Sequence, residues 1–125
     1  MPQYLFDTNI FIYAFMNDQK AFNFLEKLVR QDKLAISCIS LAEIYAAPSP
    51  EFRHKIDRLL EFLYFLTINS RTARLAGQLK LNSSKKKPVF LNDCLIAATA
   101  IEHRLTLVTN NAKDFRFPKL QVESL

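Results

Sequence analysis

Four acidic residues share a position in the sequence pattern, because each follows an apolar segment where a strand would give way to a helix. They are Asp7, Glu43, Asp93 and Asp114. In an open parallel sheet the carboxyl ends of the strands meet at one edge, and ligand clefts form there. We therefore expect the four carboxylates to converge at that edge.

Each acid also has a local explanation, as part of a helix N-terminus. Asp7 can cap a helix that begins beside it, and residues 40–43 and 111–114 each have the spacing of a capping box. Asn92 and Asp93 fit a cap followed by an acid in the first turn. For any single acid, capping is the favoured interpretation. Capping does not require all four acids at one sheet edge, however, so the complete set favours a functional site.

Converging carboxylates would repel one another, and a bound cation would relieve that repulsion. Carboxylate oxygens without Cys or His at ligand spacing favour Mg²⁺ or Mn²⁺ over Zn²⁺. His54 and His103 lie in predicted helices without partner ligands, so no zinc site is expected. Hard divalent ions in an acidic pocket suit hydrolysis of a phosphodiester by an activated water, which requires no side-chain nucleophile.

Positive charge is concentrated in the C-terminal half of the chain. Residues 1–62 carry 7 basic and 8 acidic groups, whereas residues 63–125 carry 10 and 4, which gives the formal net charge of +5. The asymmetry favours an anionic partner such as a polyphosphate, although solubility explains it equally well. Lys85, Lys86 and Lys87 are candidate RNA contacts, but a lysine run is more often a solvated loop.

Short apolar blocks alternate with longer segments of helical spacing, which predicts an α/β fold. The spacing places core-facing helical stripes around residues 21–29 and 52–63, helix caps at Ser49 and Ser70, and a last helix over about 92–104. Predicted strands, all short as buried parallel strands tend to be, cover residues 3–6, 34–37, 65–68, 106–109 and 121–123.

The bulk properties predict a single cytosolic domain over residues 1–125, which is a common domain size. No export signal and no apolar run of roughly 18 residues is present, so no membrane association is expected. Cys38 and Cys94 lie in apolar runs and are expected to be structural thiols. Most of the 11 Phe residues are expected in the core, and the surplus could form a groove covered by a partner helix or a second protomer.

Four motifs, in this order and with this spacing, resemble the PIN domain family, and within it the VapC-like ribonuclease toxins of prokaryotic toxin-antitoxin systems. They are Leu-Phe-Asp-Thr-Asn-Ile at residues 5–10, Ser-Leu-Ala-Glu at 40–43, Asn-Asp-Cys-Leu-Ile-Ala-Ala at 92–98, and Leu-Val-Thr-Asn-Asn-Ala-Lys-Asp-Phe at 107–115. The resemblance implies a three-layer α/β fold in which a parallel sheet of about five strands is flanked by helices. It further implies RNA cleavage dependent on Mg²⁺ or Mn²⁺, homodimerisation, and inhibition by a VapB-like antitoxin.

Carried onto this chain, the resemblance makes Asp7, Glu43, Asp93 and Asp114 the catalytic and metal-binding acids. Asp7 and Asp93 are the best candidates for direct metal ligands, and Glu43 and Asp114 are candidates to act partly through bound water. Thr8, Thr109 and Asn111 would be supporting polar groups. The run Lys85 to Lys87 is the clearest departure from the family's pattern and leaves the substrate contacts open.

Two rival functions remain at this point. A phosphoacceptor signalling domain also has Asp at strand ends, but it needs an early acidic doublet, and Asp7 has no acidic neighbour. A noncatalytic PIN-like module that binds nucleic acid or protein is the stronger alternative, although all four acids are present. The chain has no Gly-rich phosphate loop, which argues against an NTPase or a Rossmann oxidoreductase.

Overall fold

Five short parallel strands form the central sheet of the protein, for which we use a computed structural model that describes residues 1–83 and 85–125. The strands lie in the order β3-β2-β1-β4-β5, and every neighbouring pair is parallel. The chain extends the sheet to one side of β1 and then to the other. The strand order therefore switches between β1 and β4, which is where such sheets open a ligand crevice. The bounds are β1 Tyr4–Phe6, β2 Leu34–Ser37, β3 Tyr64–Leu66, β4 Thr106–Val108 and β5 Gln121–Glu123.

Helices connect the strands and cover both faces of the sheet. Short 3-10 turns at Leu60–Phe62 and Ala112–Asp114 precede β3 and follow β4. The helices are α1 Thr8–Phe15, α2 Gln19–Arg30, α3 Cys38–Ala46, α4 Pro50–Leu59, α5 Ser70–Leu81 and α6 Leu91–Glu102.

Alternation along the strands divides the core into two layers. Phe6, Ile36 and Val108 pack with the apolar sides of α1 to α4. Their strand neighbours Leu5 and Leu107 point to the opposite face, where they pack against α6. Each fully buried side chain of this size contributes roughly 1.5 to 3 kcal/mol. The result is the three-layer α/β fold that the sequence predicts.

Most predicted elements are confirmed, and the differences have local causes. β2 and β5 have the predicted bounds, whereas β3 begins and ends earlier than residues 65–68. Ser49 caps α4 as predicted, its Oγ accepting from Phe52 N at 3.3 Å. Ser70 was the wrong choice of cap for α5, because Asn69 Oδ1 accepts from Thr72 N at 3.0 Å. The last helix ends before Arg104, whose φ of 56° is left-handed.

Part of the aromatic surplus lies at the surface, as the composition suggested. Phe22 and Phe62 are 42% and 58% exposed and line a groove of about 340 Å³ beside α1, α2 and α4. Lys55 and Arg58 line the same groove.

Cys38 and Cys94 are both free thiols. In the described part of the chain, we find no helix with the length and apolar character needed to span a bilayer.

Candidate active site

The four predicted acids reach one cleft from four separate segments of the chain. Asp7 follows β1, Glu43 lies on α3, Asp93 is in the first turn of α6, and Asp114 ends the 3-10 turn after β4. All four line a cleft of about 420 Å³ together with Asn92 and other polar groups. The cleft lies where β1 and β4 end, at the switch in strand order. The structure thus brings together the residues that the strand-end pattern singled out.

Helix capping does not explain these acids. Asp7 occupies the N-cap position of α1 but makes no side-chain cap hydrogen bond. α3 begins at Cys38, where Ser37 Oγ accepts from Ser40 N at 3.0 Å, so residues 40–43 lie inside the helix and are not a capping box. Neither α6 nor the 3-10 turn after Asn111 has a side-chain cap. The capping hydrogen bonds suggested by the sequence are therefore absent at these positions, whereas the placement of Asp93 in the first turn of α6 is confirmed.

Glu43 is held at both carboxylate oxygens. Thr8 Oγ1 donates to Glu43 Oε1 at 2.6 Å, and Asn92 Nδ2 donates to Glu43 Oε2 at 2.8 Å. Thr8 Oγ1 also lies 2.9 Å from Ser40 Oγ, which lies 3.3 Å from Ser37 Oγ. Because the Thr8 proton is used on Glu43, the Ser40 hydroxyl must donate to Thr8. This hydroxyl chain connects the end of β2 to Glu43 and fixes its orientation.

Asp7 is nearly buried, with 6% of its surface exposed. Thr109 Oγ1 donates to Asp7 Oδ2 at 2.9 Å, and Thr109 Oγ1 in turn accepts from Asn111 N at 3.0 Å. Burial raises the pKa of Asp7 above its ordinary value, and the negative charges of Glu43 and Asp114 raise it further. The hydrogen bond from Thr109 opposes this rise by stabilising the carboxylate.

The pKa of Asp93 is strongly raised. Burial raises its pKa to about 6, with further contributions from the charges of Asp7, Glu43 and Asp114. Within residues 1–83 and 85–125, no group donates a hydrogen bond to the Asp93 carboxylate. Burial and three acidic neighbours therefore raise the energy of its ionised form, and no hydrogen bond from a described residue offsets that rise.

The donor chemistry of the cleft fits a hard divalent cation held through few protein ligands. Carboxylate and amide oxygens line it, and these are the oxygen donors that Mg²⁺ and Mn²⁺ favour. Among the residues the structure describes, no three His, Cys, Asp or Glu side chains are grouped closely enough to hold an ion as a ready-made cage. Mg²⁺ commonly binds through one or two carboxylates and keeps several waters. Asp7 and Asp93 fit that mode.

The supporting residues fall into two groups. Thr8 and Thr109, predicted from the resemblance, each donate to an acid of the cleft, whereas Asn111 acts through its backbone N–H on Thr109. Sequence reasoning missed the contacts of Ser40 and Asn92, since both were interpreted as helix caps. The available signal was the presence of a small polar residue within three positions of an acid, as in Ser40 before Glu43 and Asn92 before Asp93.

The predicted RNA contacts lie outside the acidic cleft. Lys86 and Lys87 line a second, larger cleft that shares Asp114 with the acidic one. Lys85 is exposed, but it lines neither cleft.

Fold and site together define an α/β protein with an acidic cleft at the carboxyl edge of a parallel sheet. A model of the PIN domain matches residues 4–120, so the chain belongs to the PIN domain family. The expectation of family and fold drawn from the four motifs is confirmed.

Several relatives are similar over nearly their whole length. The chain is 35% identical to Ribonuclease VapC2 of Rickettsia felis, over 97% of this chain and 96% of the relative. It is 29% identical to the tRNA(fMet)-specific endonuclease VapC of Shigella flexneri, over 92% and 91% respectively. A solved structure of VapBC2 from Rickettsia felis bound to a promoter DNA fragment contains a chain with a TM-score of 0.81 and 33% identity, covering 98% of both chains.

Proposed function

We propose that this protein is a metal-dependent endoribonuclease and the toxin of a toxin-antitoxin pair. The observation that carries the proposal is the convergence of four carboxylates in one cleft, in which no described residue donates a hydrogen bond to Asp93. Capping does not account for that arrangement, but a cation would neutralise it. The names of the Rickettsia and Shigella relatives support RNA as the substrate.

Asp7 and Asp93 would hold the ion, with Asp114 and Glu43 acting on its water ligands. When bound, Mg²⁺ or Mn²⁺ would supply a Lewis acid for the phosphodiester and activate the attacking water. Glu43 suits an indirect role because both of its oxygens already accept hydrogen bonds. Thr109 keeps the Asp7 carboxylate in place and favours its ionised form.

We propose a VapB-like antitoxin as the protein partner, because structural neighbours of this chain were solved as VapBC complexes. The groove that contains Phe22 and Phe62 has an apolar surface together with Lys55 and Arg58. It would suit an amphipathic helix that carries acidic residues beside its apolar face. We also propose a homodimer, which light scattering on the purified protein would test.

Cleavage assays test the enzymatic proposal. The purified protein should cut a tRNA mixture or a single-stranded RNA in Mg²⁺, and excess EDTA should stop the reaction. Asp7→Asn should abolish cleavage while keeping an acceptor for Thr109, whereas the control Asp57→Asn, an exposed residue on α4, should leave the rate unchanged.

Two outcomes would contradict the proposal. Retained activity in Asp7→Asn would remove Asp7 from the site. If no RNA were cleaved in either Mg²⁺ or Mn²⁺, the noncatalytic binding module would be the better interpretation.

A further inference from the structure

The larger cleft beside the acidic site has a strongly basic lining. It has a volume of about 730 Å³, within the range of sites that bind whole ligands. Among the described residues that line it, five are basic and Asp114 is the only acid; the basic residues are Lys86, Lys87, Lys113, Arg116 and Lys119. A surface of this kind attracts polyanions.

The basic cleft opens directly onto the acidic site. Asp114 lines both, and Lys113 precedes it in the 3-10 turn after β4. A strand that placed one phosphate among the acids would therefore meet Lys113 within a short distance along its backbone. A neighbouring cleft lined by Arg71, Arg74 and the single acid Glu102 shares Leu75 and Gln78 with the basic cleft, so the net positive charge continues along α5.

The remaining lining is apolar and includes Leu75, Leu79 and the partly buried ring of Phe117. A duplex would present only its phosphates to such a surface, because its bases are paired and stacked inside. Unpaired bases can lie against apolar and aromatic side chains while the backbone contacts cations. The combination is therefore suited to a single strand rather than a duplex.

Local structure supports the shape of this cleft. Lys80 Nζ donates to Val89 O at 2.6 Å, and Ser83 Oγ donates to Lys80 O at 2.6 Å, so hydrogen bonds hold the end of α5 to residues on both sides of the run Lys85 to Lys87.

Lys119 has a φ of 67°, a left-handed conformation in which Gly or Asn is more usual. In the described chain, neither Arg116 nor Lys119 forms an ion pair.

We propose that this basic cleft binds an unpaired RNA segment that flanks the scissile phosphate, with the backbone on Lys87, Lys113, Arg116 and Lys119. The proposal rests on the proposed ribonuclease function for the position of the scissile bond. It assigns the substrate strand to one side of the acidic site. It also gives Lys87, in the run Lys85 to Lys87, a role in RNA binding.

Binding measured without cleavage tests this proposal. Fluorescence anisotropy of a labelled single-stranded RNA 12-mer in EDTA would be followed as a function of salt. Arg116→Gln/Lys119→Gln should reduce the slope of log affinity against log salt by about 1.4, since each phosphate contact to a single strand contributes about 0.7. The control Lys20→Gln/Lys27→Gln, at exposed positions on α2, should leave the slope unchanged.

The outcomes separate this proposal from the nuclease proposal. An equal slope for the cleft variant and the unmodified protein would overturn the binding site, even if EDTA-sensitive cleavage persisted. Equal affinity for the same RNA as a duplex would overturn the preference for an unpaired strand. A reduced slope in a protein that cleaves no RNA would support the cleft and reject the nuclease.

Discussion

Neutralising Asp93 should stabilise the metal-free protein while destroying its function. The folded-state pKa of Asp93 is about 6, against 3.8 for the free side chain. Between pH 3.8 and about 6, the Asp93 carboxyl is protonated in the folded protein but ionised in the unfolded chain. The stability that this group contributes is therefore fully present below about pH 4 and is lost as the pH rises through 6. Because Asn does not ionise, Asp93→Asn should remove this loss of stability at higher pH.

The magnitude follows from the same numbers. A rise from 3.8 to about 6 corresponds to roughly 3 kcal/mol if it were fully expressed. Asp93 is only partly buried, and solvent screening reduces this to about 1 kcal/mol. We therefore expect Asp93→Asn to increase the free energy of unfolding by that amount at pH 7.5 and to change it little at pH 4.

Urea denaturation with and without Mg²⁺ provides the assay. Mg²⁺ at about 100 times its Kd should stabilise the unmodified protein by about 2.7 kcal/mol. Asp93→Asn should lose most of that gain together with RNA cleavage. Asp57→Asn is the control, because Asp57 is on α4 and does not line the cleft. An Asp93→Asn protein less stable than the unmodified protein at pH 7.5 would refute the electrostatic reasoning.

Two further substitutions test the supporting structure. Thr109→Val removes the donor to Asp7, which should raise the pKa of Asp7 and move the acidic limb of the pH-rate profile to higher pH. Cleavage near neutral pH should fall roughly 10- to 150-fold, since a hydrogen bond to a charged group is worth roughly 1.5 to 3 kcal/mol. Thr109→Ser should restore it, and an unchanged profile would contradict the role of Thr109. Leu107→Ala should lower the free energy of unfolding by about 2 to 5 kcal/mol in urea, because Leu107 is fully buried. A loss below 1 kcal/mol would show that the core relaxes around the cavity.

The interior strands could be predicted from sequence because their apolar blocks are uninterrupted. β2 has the burial of a central strand at all four positions. β3 was misplaced because it is an edge strand in which Phe65 is 44% exposed. Burial therefore does not mark its ends, and the apolar residues before it also suit the preceding helical turn.

The convergence of the acids could be anticipated from the general behaviour of parallel sheets, but their hydrogen bonds could not. Thr8 and Glu43 are 35 residues apart, and Asn92 is 49 residues from Glu43. Those contacts depend on how α3 and α6 are oriented against α1. Local spacing instead favoured helix caps for Ser40 and Asn92, which the packed structure does not use.

The hydrogen bond between Thr109 and Asp7 spans 102 positions of the chain. A polypeptide still being synthesised lacks this bond until β4 has left the ribosome and inserted beside β1. Products that stop before Thr106 would carry Asp7, Glu43 and Asp93 but lack β4, Thr109 and Asp114. Incomplete chains would therefore lack both the hydrogen-bond donor to Asp7 and the fourth carboxylate of the cleft.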